Sequence, residues 1–386
     1  MKPLDSTAIV GIGQTEFSKQ SGRSELQLAA EASLAAIRDA GLKPSDIDGM
    51  VTYVQDSNDE LQLMRCLGIE QLRWTGRTPF GGGGSSATVQ LAAAAVASGA
   101  ARNVLIYRAF NERSGQRFGQ PAPIHYGVGG GGAPARSLHF SYGLDTPAKI
   151  YALWYQPYMH RYGVTSEDLG RYVVVARKHA ATNPNAWFYG KPITLEDHQA
   201  SRWIVEPMLR LLDCCQESDG GVALVVSSLD RARDLRQKPV RVAAATQAHR
   251  MDGHIMFDYY RPDLVGYPEA YASAQELWSQ SGLGPQDMDA ALIYENFSPV
   301  VLMTLEAHGF CKEGEAKDFI KSGAIELSGQ LPVNPNGGLL GEGYIHGMNN
   351  ITEAVRQLRG TAANQIADAE NVLVTVGRSG LILQKA

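Results

Sequence analysis

Apolar and polar positions along this chain fall into two alternating periods. Ala8-Ile9-Val10-Gly11-Ile12-Gly13 is an apolar run bounded by glycine, the pattern of a buried strand. Ser24-Glu25-Leu26-Gln27 has the order of a capping box. Leu26, Ala30, Leu34 and Ile37 follow at helical spacing until Gly41 ends the helix. Met50 to Val54 reads as a strand. Gly81-Gly82-Gly83-Gly84-Ser85-Ser86 opens an Ala-rich helix that closes near Gly99, with Ser85 or Ser86 expected as its N-cap. Val104-Leu105-Ile106-Tyr107 is the next strand. This alternation predicts an α/β sheet with helices on its faces. Residues 111–205 break the pattern with many aromatics and the glycine run Gly127 to Gly132, so the stretch reads as an insertion. Regular patterning resumes at Val222-Ala223-Leu224-Val225-Val226.

The chain also repeats itself. Residues 40–53 read AGLKPSDIDGMVTY and residues 281–294 read SGLGPQDMDAALIY, with six of 14 positions identical at one offset. The identities are Gly41/Gly282, Leu42/Leu283, Pro44/Pro285, Asp46/Asp287, Asp48/Asp289 and Tyr53/Tyr294. A second echo sets Asn103-Val104-Leu105-Ile106 against Asn371-Val372-Leu373-Val374. Two matches in the same order predict a duplicated α/β fold. Subtracting the insertion of roughly 95 residues leaves halves of about 146 residues, an ordinary domain size. The boundaries expected are 1–110 with 206–240 for the first half, 111–205 for an inserted loop domain, and 241–386 for the second half.

Composition narrows the classes of function. Lys+Arg 35 against Asp+Glu 40 gives a net charge of −5, with no basic run, which argues against a nucleic-acid surface. Cys66, Cys214, Cys215 and Cys311 form neither a disulfide framework nor a zinc spacing, so the expected compartment is reducing cytosol. The apolar stretch near the N-terminus is too short for a signal peptide, and Leu91 to Ala101 is too short to span a bilayer. The 127–132 run is not followed by Gly-Lys-Ser/Thr, so it is not a P-loop, and no clear strand precedes it as a dinucleotide fingerprint requires.

Four segments in order resemble the thiolase family over essentially the whole chain. Tyr294-Glu295-Asn296-Phe297-Ser298 is similar to the thiolase Asn-Glu-Ala-Phe motif, and Asn334-Pro335-Asn336-Gly337-Gly338 to its Asn-x-x-Gly-Gly. Gly343-Tyr344-Ile345-His346-Gly347 stands where the family has Gly-His-Pro-x-Gly, and Gly377-Arg378-Ser379-Gly380 at its C-terminal glycine motif. The resemblance implies a thiolase fold: two pseudo-symmetric α/β halves in five layers, with buried central helices expected after Gly84 and Ser298. It also implies a homodimer, with Val104–Tyr107 expected near the edge strand at its two-fold axis.

The departures from the family carry the functional reading. Thiolases place a nucleophilic cysteine in the turn that here is Gly81 to Gly84. The family's catalytic His falls on Tyr344, the Asn of Asn-Glu-Ala-Phe on Tyr294, and the second Cys near Val374. Covalent acyl transfer needs a thiolate and a base to make it, and neither stands at those positions. Two phenols in their place resemble the steroid side-chain aldolases of the lipid-transfer-protein type. That resemblance implies retro-aldol cleavage of a steroid β-hydroxyacyl-CoA to a 17-ketosteroid and propionyl-CoA. It implies a small OB-fold, zinc-ribbon partner domain of a hydratase, hence a heterotetramer, while the charge and the short apolar runs already argue against nucleic acid and membrane as partners.

Such a reaction needs a base for the hydroxyl, a donor for the thioester oxygen and an acid for the carbon. Tyr294 and Tyr344 are the candidates for proton transfer. His346, Glu295 and Asn296 are candidate supporting residues. Gly82, Gly83, Gly341 and Gly343 are the candidate backbone donors for the thioester oxygen. No lysine motif suggests a Schiff base and no carboxylate/His cluster suggests a metal, so no cofactor is expected beyond the CoA of the substrate. Met251 to Tyr271, with Met256, Phe257, Tyr259 and Tyr260, is apolar enough to meet a flat substrate. Aromatic and Arg residues of 111–205 are expected to contact ligand or partner. A non-catalytic acyl-CoA or sterol carrier and a C–C-forming acyltransferase are the competing readings.

Overall fold

The computed structural model describes residues 3–79, 81–117, 119–120, 141–251 and 261–386. The Gly127–Gly132 run and Met256, Phe257, Tyr259 and Tyr260 lie outside them.

Eleven strands are described: β1 (Thr7–Gln14), β2 (Gly49–Tyr53), β3 (Trp74–Thr78), β4 (Asn103–Asn111), β5 (Trp203–Val205), β6 (Leu209–Arg210), β7 (Asp219–Ser228), β8 (Val240–Gln247), β9 (Ala290–Ile293), β10 (Asn371–Thr375) and β11 (Ser379–Lys385). Nine form one sheet in the order β3-β2-β4-β7-β1-β8-β11-β10-β9. Its middle is the short antiparallel pairing of β1 with β8, through Ala8 with Arg241 and Ile9 with Val240. On either side the pairing is the same. β2 runs parallel to β4 and β9 parallel to β10. β7 is antiparallel to β4 and β1, as β11 is to β10 and β8. The counterpart of β3 is a single parallel bridge between Ala291 and Val333.

The repeated sequence has a physical basis in each copy. Gly41 and Gly282 end their helices in the left-handed conformation, with φ of 76° and 74°. Pro44–Asp46 and Pro285–Asp287 then form matching 3₁₀ turns. Asp46 Oδ2 accepts from the Lys43 amide at 2.7 Å, and Asp287 Oδ2 from the Gly284 amide at 2.8 Å. Asp48 Oδ1 accepts from the amides of Arg102 and Asn103, at 2.7 and 3.0 Å. Asp289 Oδ2 accepts from those of Glu370 and Asn371, at 2.8 and 2.9 Å. One aspartate thus closes each turn and the next ties it to the following strand.

Strand alternation sorts the core into layers. Val104 and Ile106 of β4 and Val372 and Val374 of β10 face a shared central core, together with Val89 and Ala92 of the helix Ser85–Ala97 and Ile351 and Val355 of the helix Met348–Arg359. Leu105 and Tyr107 face an outer layer with Leu28 and Ile37 of the helix Glu25–Ala40. On the other side Leu373 and Ile382 pack with Ala270 and Leu277 of the helix Pro268–Ser281. This is the α-β-α-β-α layering of the thiolase fold.

Three local expectations are corrected. The central counterpart of Ser85–Ala97 is Met348–Arg359, and not the helix Pro299–Ala307 after Ser298, which follows β9 and packs in the outer core. The N-cap of Ser85–Ala97 is Gly84, with Ser85 and Ser86 inside the helix and buried. Val104–Tyr107 lies between β2 and β7, and the sheet's free edges are β3 and β9.

Residues 111–205 contribute the helices Pro147–Tyr162, Ser166–Thr182 and Leu195–Ala200, and β5. The first two pack into the outer core of the second half. Buried Asp213 ties the segment down: Oδ1 meets His198 Nε2 at 3.0 Å and accepts from Ser298 Oγ at 2.6 Å. No described helix is long and apolar enough to cross a membrane.

Asp48→Ala and Asp289→Ala each leave two amides without their side-chain acceptor. Each is expected to lower the unfolding free energy by about 1–3 kcal/mol in urea titrations. A loss confined to one of the two would contradict their structural equivalence.

Candidate functional site

The two central helices begin at the same place. Gly84 caps one and Gly347, with φ of 80°, caps the other. A Cβ at Gly347 would lie 3.0 Å from Ser85 Oγ and 3.0 Å from Tyr294 Cδ2, so the helix starts and the Tyr294 ring are in close contact. Both N-termini present partial positive charge to this point. A cavity of about 400 Å³ opens over it, lined by Gly81, Gly82, Gly83, Tyr294, Asn296, Tyr344 and His346.

Tyr294 follows the last residue of β9, and Tyr344 lies in the loop before Met348–Arg359. Their hydroxyls are hydrogen-bonded at 2.6 Å, and both residues are under 9% exposed. The Tyr294 hydroxyl rests against Gly82, where a Cβ would stand 2.0 Å from the oxygen, so only glycine admits the phenol. Burial pushes both hydroxyls well above the ordinary tyrosine value. The pair is therefore neutral near pH 7.

His346 is 3% exposed and holds a left-handed backbone with φ of 49°, uncommon outside glycine. Arg108 Nε donates to His346 Nδ1 at 3.3 Å, and Arg108 Nη1 pairs with Asp56 Oδ2 at 2.8 Å. Both members of this ion pair are at most 2% exposed. Burial and then the Arg108 charge push the imidazole well below its usual value. With Nδ1 accepting, the proton of the neutral ring is on Nε2. Tyr53, the repeat mate of Tyr294, packs 6.1 Å from the His346 ring.

The other candidates are placed differently. Glu295 is fully buried and turned away from the cavity. Its Oε1 accepts from the Leu339 amide at 2.8 Å, and burial raises its pKa to about 8. It anchors the Asn334–Gly338 loop, where a Cβ at Gly338 would lie 1.8 Å from Oε1. Asn296 does line the cavity. Gly341 and Gly343 do not line it, in contrast to Gly82 and Gly83. A Cβ at Gly341 would meet Ala180 Cβ at 2.6 Å and one at Gly343 would meet Phe17 at 2.6 Å, so these glycines serve packing. Val374 is buried in β10, and its carbonyl accepts a 3.5 Å bond from Ser86 Oγ.

Several cavity residues carry no local sequence signal. Tyr151, Trp154, Tyr267 and Phe297 form an aromatic wall, with Trp154 edge-on to Tyr267 at 4.7 Å. Lys19, Arg113, Arg117, Arg202 and Arg378 bring positive charge. Lys19 donates to Gln216 Oε1 and the Glu217 carbonyl, and burial, then Arg113, lowers its pKa to about 8. Cys214 and Cys215 also line the cavity, but burial pushes both thiols up, away from the thiolate that a nucleophile needs. Glu112 is the remaining buried acid. Arg113, Arg117, Arg202, Tyr151 and Trp154 all belong to the inserted segment.

Among the described residues no group of three or more His, Cys, Asp or Glu is arranged to hold a metal. The layering, the paired central helices and the cavity at their N-termini define a thiolase-fold protein. Residues 227–386 match the family model described as thiolase C-terminal domain-like. The chain is 56% identical to the steroid side-chain-cleaving aldolase of Thermomonospora curvata, over 98% of this chain and 97% of that one. It is also 56% identical to the 17-hydroxy-3-oxo-4-pregnene-20-carboxyl-CoA lyase of Mycobacterium tuberculosis, over 97% and 98%. A solved Ltp2-ChsH2(DUF35) aldolase superposes with a TM-score of 0.93 at 55% identity, covering 99% of this chain and 98% of that one. This chain belongs to the family of thiolase-like steroid side-chain-cleaving aldolases.

Because burial raises both phenols, neither Tyr294 nor Tyr344 should ionise below about pH 10, the reference value for a free phenol. Tyrosinate absorbance of wild type, Tyr294→Phe and Tyr344→Phe should coincide up to that pH. A step lost in either variant at lower pH would show a preformed phenolate.

Proposed function

We propose that this chain catalyses retro-aldol cleavage of a 17-hydroxy steroid acyl-CoA with a three-carbon side chain, giving a 17-ketosteroid and propionyl-CoA. The observation that carries the reading is the 2.6 Å hydroxyl pair of Tyr294 and Tyr344 at the cavity floor, where thiolase chemistry would need a thiol and a base. The names of the two relatives at 56% identity support it.

The neutral pair suits a relay. The substrate hydroxyl gives its proton to one phenol, that phenol passes its own to the second, and the second protonates the carbon of the departing enolate. The Cα–Cβ bond breaks, its electrons enter the thioester as an enolate, and the protons balance without a lasting phenolate. Tyr294 is the better base, because its oxygen abuts Gly82 at the N-terminal end of a buried helix, whose dipole favours negative charge. Tyr344 is then the acid. His346, with its proton on Nε2, is a second donor at the floor, positioned by Arg108. Gly82 and Gly83 bring backbone close to the same point.

The aromatic wall suits a flat steroid, and Lys19, Arg113 and Arg202 suit the phosphates of CoA. A thioester withdraws electrons well enough for this cleavage to run without a metal or organic cofactor. The solved relative named Ltp2-ChsH2(DUF35) aldolase supports a DUF35-type partner for this chain, the OB-fold, zinc-ribbon domain expected of a hydratase. The four free cysteines suit the cytoplasm. The unpaired edge of β3 suits a second copy across a two-fold axis, which with the partner makes a heterotetramer.

Incubation with the 17-hydroxy acyl-CoA, with partner present, should release ketosteroid and propionyl-CoA. Binding without cleavage would indicate a carrier, and thioester condensation a C–C-forming acyltransferase. Tyr294→Phe and Tyr344→Phe should each lower kcat by about 10²–10⁴-fold with little change in KM. The double variant should be barely slower than the worse single, since both serve one relay. Wild-type turnover in both single variants would remove them from the mechanism. Light scattering should give a dimeric mass for the chain, and a monomer at every concentration would refute pairing along β3.

A further inference from the structure

One buried acid at the cavity remains without a role. Glu112 stands just past the end of β4, lines the cavity and is 2% exposed. Its Oε2 is buried with no hydrogen-bond partner among the described residues, where leaving a polar atom unpaired is costly. The Ser218 backbone lies beside its carboxyl, and Ser218 Oγ accepts from the Tyr344 amide at 3.3 Å. Glu112 thus neighbours the residue that holds the backbone of the proposed acid. It interacts electrostatically with Tyr294, Tyr344 and Lys19, which line the same cavity. It therefore shares one cavity with the phenol pair and the cationic wall. In an acyl-CoA, the group between the breaking bond and the CoA arm is the thioester.

We propose that Glu112 is a further catalytic residue, whose Oε2 donates a hydrogen bond to the thioester oxygen of the bound acyl-CoA as that oxygen becomes an enolate. The proposal rests on the aldolase reading above. Burial, then the Glu217 charge, pushes the Glu112 carboxyl well above its usual range, against the smaller opposing effects of Arg108 and Lys19. Burial thus favours the protonated carboxyl, which has a donor to offer. The proton stays on Glu112 throughout, and Oε2 makes this bond with ligand bound. A donor that strengthens as charge develops acts on kcat more than on KM.

The test compares Glu112→Gln, which keeps a donor and cannot ionise, with Glu112→Met, which has none, each assayed with the partner and the 17-hydroxy acyl-CoA. Glu112→Met should lose about 10²–10³-fold in kcat with KM nearly unchanged, and Glu112→Gln should stay within about tenfold of wild type. As pH rises through the elevated Glu112 pKa, wild type loses its donor and places an anion beside the enolate, so its rate should fall. Glu112→Gln should lack that alkaline fall, which tests the idea even if Glu112→Met does not fold. Glu112→Met turning over like wild type, or folded Glu112→Gln as slow as Glu112→Met, would overturn the donor role and leave the aldolase reading standing. Wild type that releases no ketone would overturn both.

Discussion

Everything at the site follows from two buried helices starting at one point. Ser85–Ala97 and Met348–Arg359 lie between the two halves of the sheet, and their first turns meet where Gly347 approaches Ser85. Each helix brings a loop with it. One supplies the glycines on which Tyr294 rests, the other Tyr344 and His346. Both helix N-termini also bring partial positive charge to a spot lined by buried side chains, where it acts more strongly than in bulk water. The duplicated fold thus produces a place suited to an oxygen that becomes negative, before any side chain is chosen.

The side chains then decide what that place does. A thiolate there would be stabilised by the same helix ends, and covalent chemistry would follow. Here the nearby thiols, Cys214 and Cys215, are held protonated by burial, and the two phenols are bonded to one another. Burial raises the phenols and lowers His346, so the floor is a set of neutral donors and acceptors. That is the condition for moving a proton across a breaking bond without storing charge. The buried Arg108–Asp56 pair contributes by fixing the His346 proton on Nε2. Such a pair is a poor source of stability, but it holds orientation well.

Much of the fold was legible because its signals are local. Gly41 and Gly282 end their helices in the left-handed conformation, and Asp46 and Asp287, two residues after a proline, find their amide three residues back. The repeat at 40–53 and 281–294 therefore survives as identical residues doing identical work, and strand alternation carries the layering in the same way. The less legible parts were long-range. That β4 is interior depends on β7, more than a hundred residues later, and that Gly341 and Gly343 serve packing depends on Ala180 and Phe17. A glycine beside a motif looks the same whether backbone, side chain or ligand approaches it.

The sequence by itself determined the repeated turns, the helix ends at Gly41 and Gly282, and the motif positions of Tyr294 and Tyr344, because each rests on neighbours in the chain or on a short motif. Tertiary structure alone decided that their hydroxyls bond at 2.6 Å, that Glu295 turns away to hold a loop, and that Lys19, Glu112, Arg113 and Arg202 gather around one cavity. The physical reason is that burial and charge proximity are set by every element packed around a group. A lysine at residue 19 and a glutamate at residue 112 carry no mark of the low-dielectric pocket that changes their chemistry until strands and loops from both halves close over them.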